Sequence, residues 1–259
     1  MEGIRLFFLI FARDSKFVAK KMKELDRLHV PYRIVCGESI NHPKIIYRAP
    51  RGKYDAINFG VKLIPEDANV VVMNDVDTSI HNFQAAVRCF RDNDPAILFT
   101  TEMVRNGPQS MFFRIFNPIR RRLLLAASGD LMLMKRSLLQ RIVPLKPCKA
   151  EDTYMLFKAL ELGQKVIFSE VCFAETQRTK TADQEEAYKR RTVAGIYQAL
   201  SYARPPFLIR LFYMALPFTS PLLLILGRKG YYWARGILLG LLDYLRGDLS
   251  GLWESTYTD

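Results

Sequence analysis

The stretch VVVMNDVD, residues 70–77, decides how this chain is read. Val70 to Met73 form a short apolar run suited to a strand covered on both faces, and the run stops at two carboxylates one residue apart, Asp75 and Asp77. Ligands of open α/β sheets gather outside the carboxyl ends of such strands. Alternate residues of an extended segment point the same way, so Asp75 and Asp77 can both reach one divalent cation, Mg2+ or Mn2+. Two acids at a strand end also make an ordinary turn or helix N-cap, and the flanking segments have to decide.

Outward from that point the pattern alternates. Residues 4–11 read as a strand, after which Asp14 or Ser15 is expected to cap a helix whose Phe17, Val18, Met22, Leu25 and Leu28 share a face. Further strands are expected at Tyr32–Cys36, ending at Glu38, and at 44–47, 70–74 and 96–100, with helices at Tyr54–Leu63 and 83–91. Strands alternating with helices make an α/β domain with a largely parallel sheet. Ser110–Leu125 differs, because Met111, Phe112, Ile115, Phe116, Ile119 and Leu123 form a wide apolar arc with Arg114, Arg120 and Arg121 off it. Such a basic amphipathic helix can lie in a headgroup layer or pack as an ordinary surface helix.

Composition narrows the class. Apolar residues at 49% of 259 are ample for a core, and a formal charge of +12 implies acidic partners: nucleic acid, anionic lipid or a phosphorylated substrate. No stacking platform or recognition motif for nucleic acid is visible, so no nucleic-acid partner is expected. Cys36, Cys89, Cys148 and Cys172 are isolated, which suggests reduced thiols and neither a zinc site nor a disulfide framework. Glu2 precedes only the short apolar run Ile4–Phe11, so no signal peptide is expected and the globular part is assigned to the cytoplasm.

The composition shifts after Arg204. Pro206–Leu226 is a stretch of 21 residues with Arg210 as its only charge, and at ~1.5 Å rise per residue it matches a hydrocarbon thickness of ~30 Å. A soluble core hairpin is the other reading. Tyr231–Leu245, with Arg235 and Asp243, is short for an upright span, and Tyr231, Tyr232 and Trp233 beside Arg228 and Lys229 look like a membrane-interface anchor. The expected division is a cytoplasmic domain over 1–204, a membrane segment of one or two helices over 205–247 and a polar tail over 248–259.

Four further segments bear on chemistry. RAPRGKYDAINFG, residues 48–60, puts basic residues and Gly52 before a helix, an arrangement suited to anion contacts. SGDLMLMKRSLL, residues 128–139, is a small-residue turn before a strand and a helix start, which suits close approach to a ligand or an ordinary connection. Glu151 and Asp152 open a helix running to Gly163, where acids complement the dipole. YKRRTVAG, residues 188–195, groups Lys189, Arg190 and Arg191, a cluster that could bind lipid headgroups or a diphosphate.

In that order these motifs resemble the membrane-bound branch of family 2 glycosyltransferases, the group with cellulose and hyaluronan synthases and dolichyl-phosphate sugar transferases. The resemblance implies a GT-A fold: a Rossmann-like, mostly parallel sheet flanked by helices, with amphipathic interface helices and a C-terminal membrane segment. The family's Gly-Lys and Ala-x-Asn-x-Gly segments match Gly52-Lys53 and Ala56 to Gly60, and its metal-binding DxD matches Asp75-Val76-Asp77. Its acceptor-side Gly-Asp region matches Ser128-Gly129-Asp130, and its Thr-Glu-Asp motif stands here as Ala150-Glu151-Asp152. Of the Gln-x-x-Arg-Trp motif only Arg191 is kept, because Tyr188 replaces the glutamine and Thr192 the tryptophan.

What the resemblance implies for the residues is specific. Asp152 is the expected base. Glu38, Lys53, Asn58, Asp75, Asp77 and Arg191 are expected on the nucleotide-sugar donor, with Asp75 and Asp77 on the metal. Gly129, Asp130 and Glu151 are expected on the acceptor side. The expected reaction is inverting transfer, with GDP-mannose the favoured donor, onto a hydroxyl of a lipid-linked glycan or glycolipid at the cytoplasmic membrane face, membrane lipids being partners. UDP-sugar donors or a polyprenyl-phosphate acceptor are alternatives within the family, and a non-catalytic membrane adaptor is the alternative outside it.

Overall fold

Among the described residues eight strands make one sheet: β1 (Leu6–Ala12), β2 (Tyr32–Cys36), β3 (Ile45–Tyr47), β4 (Val70–Asp75), β5 (Ser79–His81), β6 (Ile97–Val104), β7 (Leu131–Lys135) and β8 (Val166–Thr176). The helices are α1 (Val18–Leu28), α2 (Lys53–Gly60), α3 (Phe83–Asn93), α4 (Arg136–Ile142), α5 (Glu151–Glu161), α6 (Ala182–Tyr202), α7 (Phe207–Thr219) and α8 (Arg228–Leu245), with residues 117–122 also helical. The computed structural model describes residues 3–104, 117–176, 181–248 and 250. The expected helix at Ser110–Leu125 falls partly, and the expected polar tail mostly, outside these residues.

Strand order is β3-β2-β1-β4-β7-β6-β8-β5. β3, β2, β1 and β4 run parallel, joined where α1 and α2 cross over. β1 reads LFFLIFA without a polar residue because both its faces are covered. Phe8, Ile10 and Ala12 join Val18 and Leu25 of α1 and Phe83 and Phe90 of α3 in one core. On the opposite face, a Cβ at Gly60 of α2 would come within 3.0 Å of Leu9 and 3.2 Å of Phe11, so glycine lets that helix lie close to the sheet. β7 runs antiparallel to β4, pairing Asn74 with Leu131, which brings residue 130 to the strand end that carries Asp75.

The elements around residues 70–77 lie where the sequence puts them, but three details differ. β5 and β8 have no counterpart in the sequence reading, since β8 alternates imperfectly and β5 has only three residues. α1 starts at Val18 without a side-chain cap. Asp14 instead accepts from the Lys16 amide (3.1 Å) and the Ser15 carbonyl accepts from Val18 N (3.1 Å), because a short acid readily closes a turn on its own backbone.

The chain forms two compact units. The first, Met1–Met103 with Ser128–Leu145 and Gly163–Thr176, holds the sheet and α1 to α4. The second, Val104–Ala127 with Lys146–Leu162 and Gln177–Asp259, holds α5 to α8 and joins residues from both sides of residue 204. Inside it α8 lies along α6 on a glycine seam: a Cβ at Gly236 would come within 2.9 Å of the Glu186 carbonyl, and one at Gly240 within 2.5 Å of the Arg190 carbonyl. Asp243 receives a bidentate pair of bonds from Arg190 (2.5 and 2.7 Å), and Trp233 donates to Glu185 (2.8 Å). Trp233 is buried by this packing, so it does not serve as the interface anchor expected from the sequence.

Candidate active site

β4 ends at Asp75, and the turn Val76–Thr78 follows before β5. Asp77 therefore sits beyond the extended segment, and strand alternation does not set its direction. A buried polar network ties down the backbone on either side of it. Lys21 of α1, 1% exposed, donates from Nζ to Asn74 Oδ1 (2.5 Å), the Thr78 carbonyl (2.6 Å) and Glu24 Oε2 (2.7 Å). Asn74 Nδ2 bonds Thr78 Oγ1 (2.8 Å) and the Asp130 carbonyl, and Glu24 Oε1 accepts from Ile80 N (2.6 Å). The two ends of the turn, residues 74 and 78, are thus tied to one ammonium and to the start of β7.

The two acids of that turn have different neighbours. Asp75 pairs with Lys53 at the start of α2, Nζ to Oδ1 2.7 Å, with the side chains 13% and 30% exposed in lysine-then-aspartate order. Asp77 lines a cleft of about 260 Å³ with Phe17, Lys20, Lys21, Glu24 and Ser79. Lys53 is aimed by Gly52, whose φ of 122° lies in the region that favours glycine, and whose carbonyl accepts from Asp55 N (3.1 Å) and Ala56 N (3.2 Å). Arg48 is held by Asp55 in a fork (2.8 and 2.9 Å), and this partner keeps the Asp55 carboxyl below its ordinary range. Of this basic segment, Lys53 is the residue that reaches the DxD turn.

Burial pushes the Lys21 ammonium below its ordinary pKa, opposed chiefly by Glu24 and then by Asp77 and Asp75. The sequence reading missed this residue. Its signal was present, because positions 18, 21, 25 and 28 fall on one helical stripe and Lys21 is the charged member of it.

The remaining expected residues of the first unit are dispersed around the same edge. Glu38 follows β2, exposed, and its Oε2 accepts from Ser15 N (3.0 Å) in the loop after β1. Gly129 and Asp130 are buried before β7, and Ser128 Oγ lies 2.6 Å from Asp130 Oδ2. Asn58 turns its carboxamide to Leu145, donating to its carbonyl (2.9 Å) and accepting from its amide (2.7 Å). Both ends of that amide latch the chain after α4.

In the second unit, Glu151 and Asp152 open α5, Glu151 buried and Asp152 half-buried. The residues before them dock on α6: Lys149 N donates to Gln198 Oε1 (2.9 Å), and Cys148 Sγ lies 3.2 Å from the Gly195 carbonyl. A Cβ at Gly195 would come within 2.6 Å of Ala150 N and 2.7 Å of Ala150 Cβ, so only glycine admits this approach. Arg191 lies one turn before Gly195 on the same helix face. Arg191 is therefore on the side of α6 that receives the start of α5. In the same basic cluster Lys189 lies over the Trp233 ring (5.3 Å) and Arg190 pairs with Asp243.

Among the described residues no three His, Cys, Asp or Glu side chains converge on a point. That donor set suits a cation that takes one or two carboxylates and completes its shell with phosphate and water oxygens, which is how Mg2+ and Mn2+ bind in nucleotide sites. Asp75, at the end of β4, and Asp77, in the turn after it, are the carboxylates at this edge that could serve such a cation. The four cysteines are free, and burial raises the Cys172 thiol to about 12.

No family model matches the sequence, and no curated protein matches it. Solved structures do. The mannosyltransferase PcManGT of Pyrobaculum calidifontis, in complex with GDP-Man and Mn2+, superposes with a TM-score of 0.72 at 15% identity, covering 94% of this chain and 88% of that one. Residues 1–349 of TarS from S. aureus give a TM-score of 0.54 at 15% identity over 93% of this chain and 92% of that one. The glucosyl-3-phosphoglycerate synthase of M. tuberculosis gives 0.51 at 14% identity over 79% and 82%. Likeness at these identities speaks for the backbone, and with the parallel β3-β2-β1-β4 half of the sheet and the acids at the end of β4 it makes this a GT-A fold.

Proposed function

We propose that this chain is a metal-dependent, inverting glycosyltransferase that moves mannose from GDP-mannose to a hydroxyl of a lipid-linked glycan or glycolipid at the cytoplasmic face of a membrane. The observation that carries it is the acid pair at the end of β4, where Asp75 is matched to Lys53 and the turn that holds Asp77 is tied at residues 74 and 78 to Lys21. The likeness to a mannosyltransferase with GDP-Man and Mn2+ bound supports the donor and the metal.

Transfer from a nucleoside diphosphate sugar needs the charge growing on the leaving group neutralised. A divalent cation held by Asp77 and Asp75 supplies part of that neutralisation when bound. Lys53 and Arg191 add charge-assisted contacts to phosphate oxygens, and Glu38 accepts from the ribose or base. Asp152 takes the proton of the acceptor hydroxyl as its oxygen attacks the anomeric carbon. Glu151, buried, and Gly129 and Asp130 hold the acceptor side. A phosphate acceptor is already anionic and needs no base, so a working Asp152 favours a hydroxyl.

Titrating GDP and UDP into the full chain with and without Mn2+ tests this. The expected result is GDP binding that strengthens with Mn2+, together with weak Mn2+ binding when nucleotide is absent. Preference for UDP overturns the donor, and no binding of either nucleotide overturns the reading.

A further inference from the structure

Phe207–Leu226 is long and apolar enough to cross a bilayer, yet it is held along its side. α7 buries Ile209 and Tyr213 one turn apart, and Ser220, at the start of the 3-10 segment Ser220–Leu226, is buried on the same flank. Tyr213 OH donates to the Leu125 carbonyl (2.7 Å), and Tyr197 OH of α6 donates to the Tyr213 carbonyl (2.8 Å). Further on, α8 lies so close to the 3-10 segment that Gly230 abuts the Leu223 carbonyl. The opposite flank is apolar and bare: Leu208, Phe218 and Ile225 are 76%, 85% and 86% exposed.

These neighbours bear on how the segment can meet a bilayer. If the segment crossed upright, α6 and α8 would have to follow it into hydrocarbon. They carry the Arg190–Asp243 and Arg235–Glu186 pairs, and charges at that depth are costly. The charge around the bare flank points to its occupant. No acidic residue occurs from Pro205 to Leu242, whereas Arg210, Arg228 and Lys229 are all exposed there. A bare apolar flank on a stretch that carries exposed cations and no acid of its own, Asp183 of α6 acting on Arg228 alone among them, fits an anionic lipid leaflet.

We infer that the α7 to Leu226 segment is a monotopic membrane seat, which lies in one leaflet of an anionic bilayer along its apolar flank and does not cross it. The seat stands on packing within the second unit, not on the identity of donor or acceptor.

The test adds the full chain to preformed phosphatidylcholine vesicles with and without phosphatidylglycerol. Binding is expected with phosphatidylglycerol, weakened by salt, and reduced more than about tenfold in a Leu208→Asp, Phe218→Asp, Ile225→Asp variant. Nitroxide labels on Leu208→Cys, Phe218→Cys and Ile225→Cys, in a Cys89→Ser background, then report depth. All three are expected within about 5–10 Å of the headgroup boundary on the side of addition. A label at 225 that lies about 20–30 Å deeper than one at 208 shows a span and overturns the seat. So does absence of vesicle binding, including the case where the apolar flank instead pairs two copies of the chain. The depth measurement decides even where the triple variant folds poorly, and GDP titration of the same sample reads the nucleotide site separately.

Discussion

Asp75 ends a strand and Asp77 follows in the turn, whereas Glu151 and Asp152 begin a helix, and the two backbones deal out their carboxylates differently. On the strand side both acids stay partly exposed, and lysines meet their charge: Lys53 pairs with Asp75, and Lys21 lies buried under the turn. On the helix side adjacent residues point about 100° apart, so Glu151 is buried while Asp152 is half-buried. The difference separates two kinds of work. A turn braced by ammonium groups suits a charged ligand that can exchange with them, and a single half-buried acid at a helix start suits one proton.

The largest expected effect breaks the first half of that comparison. Asp77→Asn keeps the shape of the turn but removes a full negative charge where the cation is proposed to sit. Mn2+-dependent strengthening of GDP binding should vanish, and transfer should fall about 10²–10³-fold. Retained Mn2+ dependence in calorimetry would assign the metal elsewhere.

Asp152→Asn tests the other half. It should leave GDP binding unchanged and reduce transfer to a hydroxyl acceptor about 10²–10⁴-fold, the range for losing a positioned base. Normal turnover in this variant rejects Asp152 as the base, and loss of GDP binding would place it with the donor instead.

How much of this was legible in the sequence depends on whether the signal was local. The strand at 70–74, the helix at Glu151 and the turn at 128–130 announce themselves by apolar runs and small residues, and they stand as expected. β5 does not, because three residues carry no period and its place comes from pairing Ser79 with Glu175 across the chain. Asn58 carries a sequence signature but not its partner, since Leu145 lies far along the chain. The basic cluster at 189–191 read as a ligand site because its partners, Trp233 and Asp243, lay in a segment read as membrane. Gly195 was present in that motif, but its reason, the backbone of Ala150, is visible only in three dimensions.

Gly195 supplies the third test. Gly195→Val places branched carbons where Ala150 N already lies 2.6 Å from the site of a Cβ. Overpacking of this kind costs about 1–3 kcal/mol, and for a chain of this size each kcal/mol lowers the melting temperature by about 2–4 °C. Asp152-dependent transfer should fall with it, because the start of α5 is displaced, while the strengthening of GDP binding by Mn2+, assigned to the β4 turn, should persist. Loss of both together would show that the acid pairs are not independently held.

The smallest effect sharpens the first comparison at Lys21. Burial lowers this ammonium's pKa below its ordinary 10.5, so the unfolded chain keeps the proton to higher pH than the folded one. Between the lowered folded value and 10.5 the unfolded state binds more protons, and the stability contributed by this group rises with pH through that window and is flat below it. Lys21→Met removes the titration. Wild-type stability minus that of the variant, from urea melts, should therefore be constant near neutrality and climb as pH approaches 10.5. A difference that falls with pH would mean that Glu24 and the two aspartates outweigh burial, making Lys21 an ion-pair partner first and a brace second.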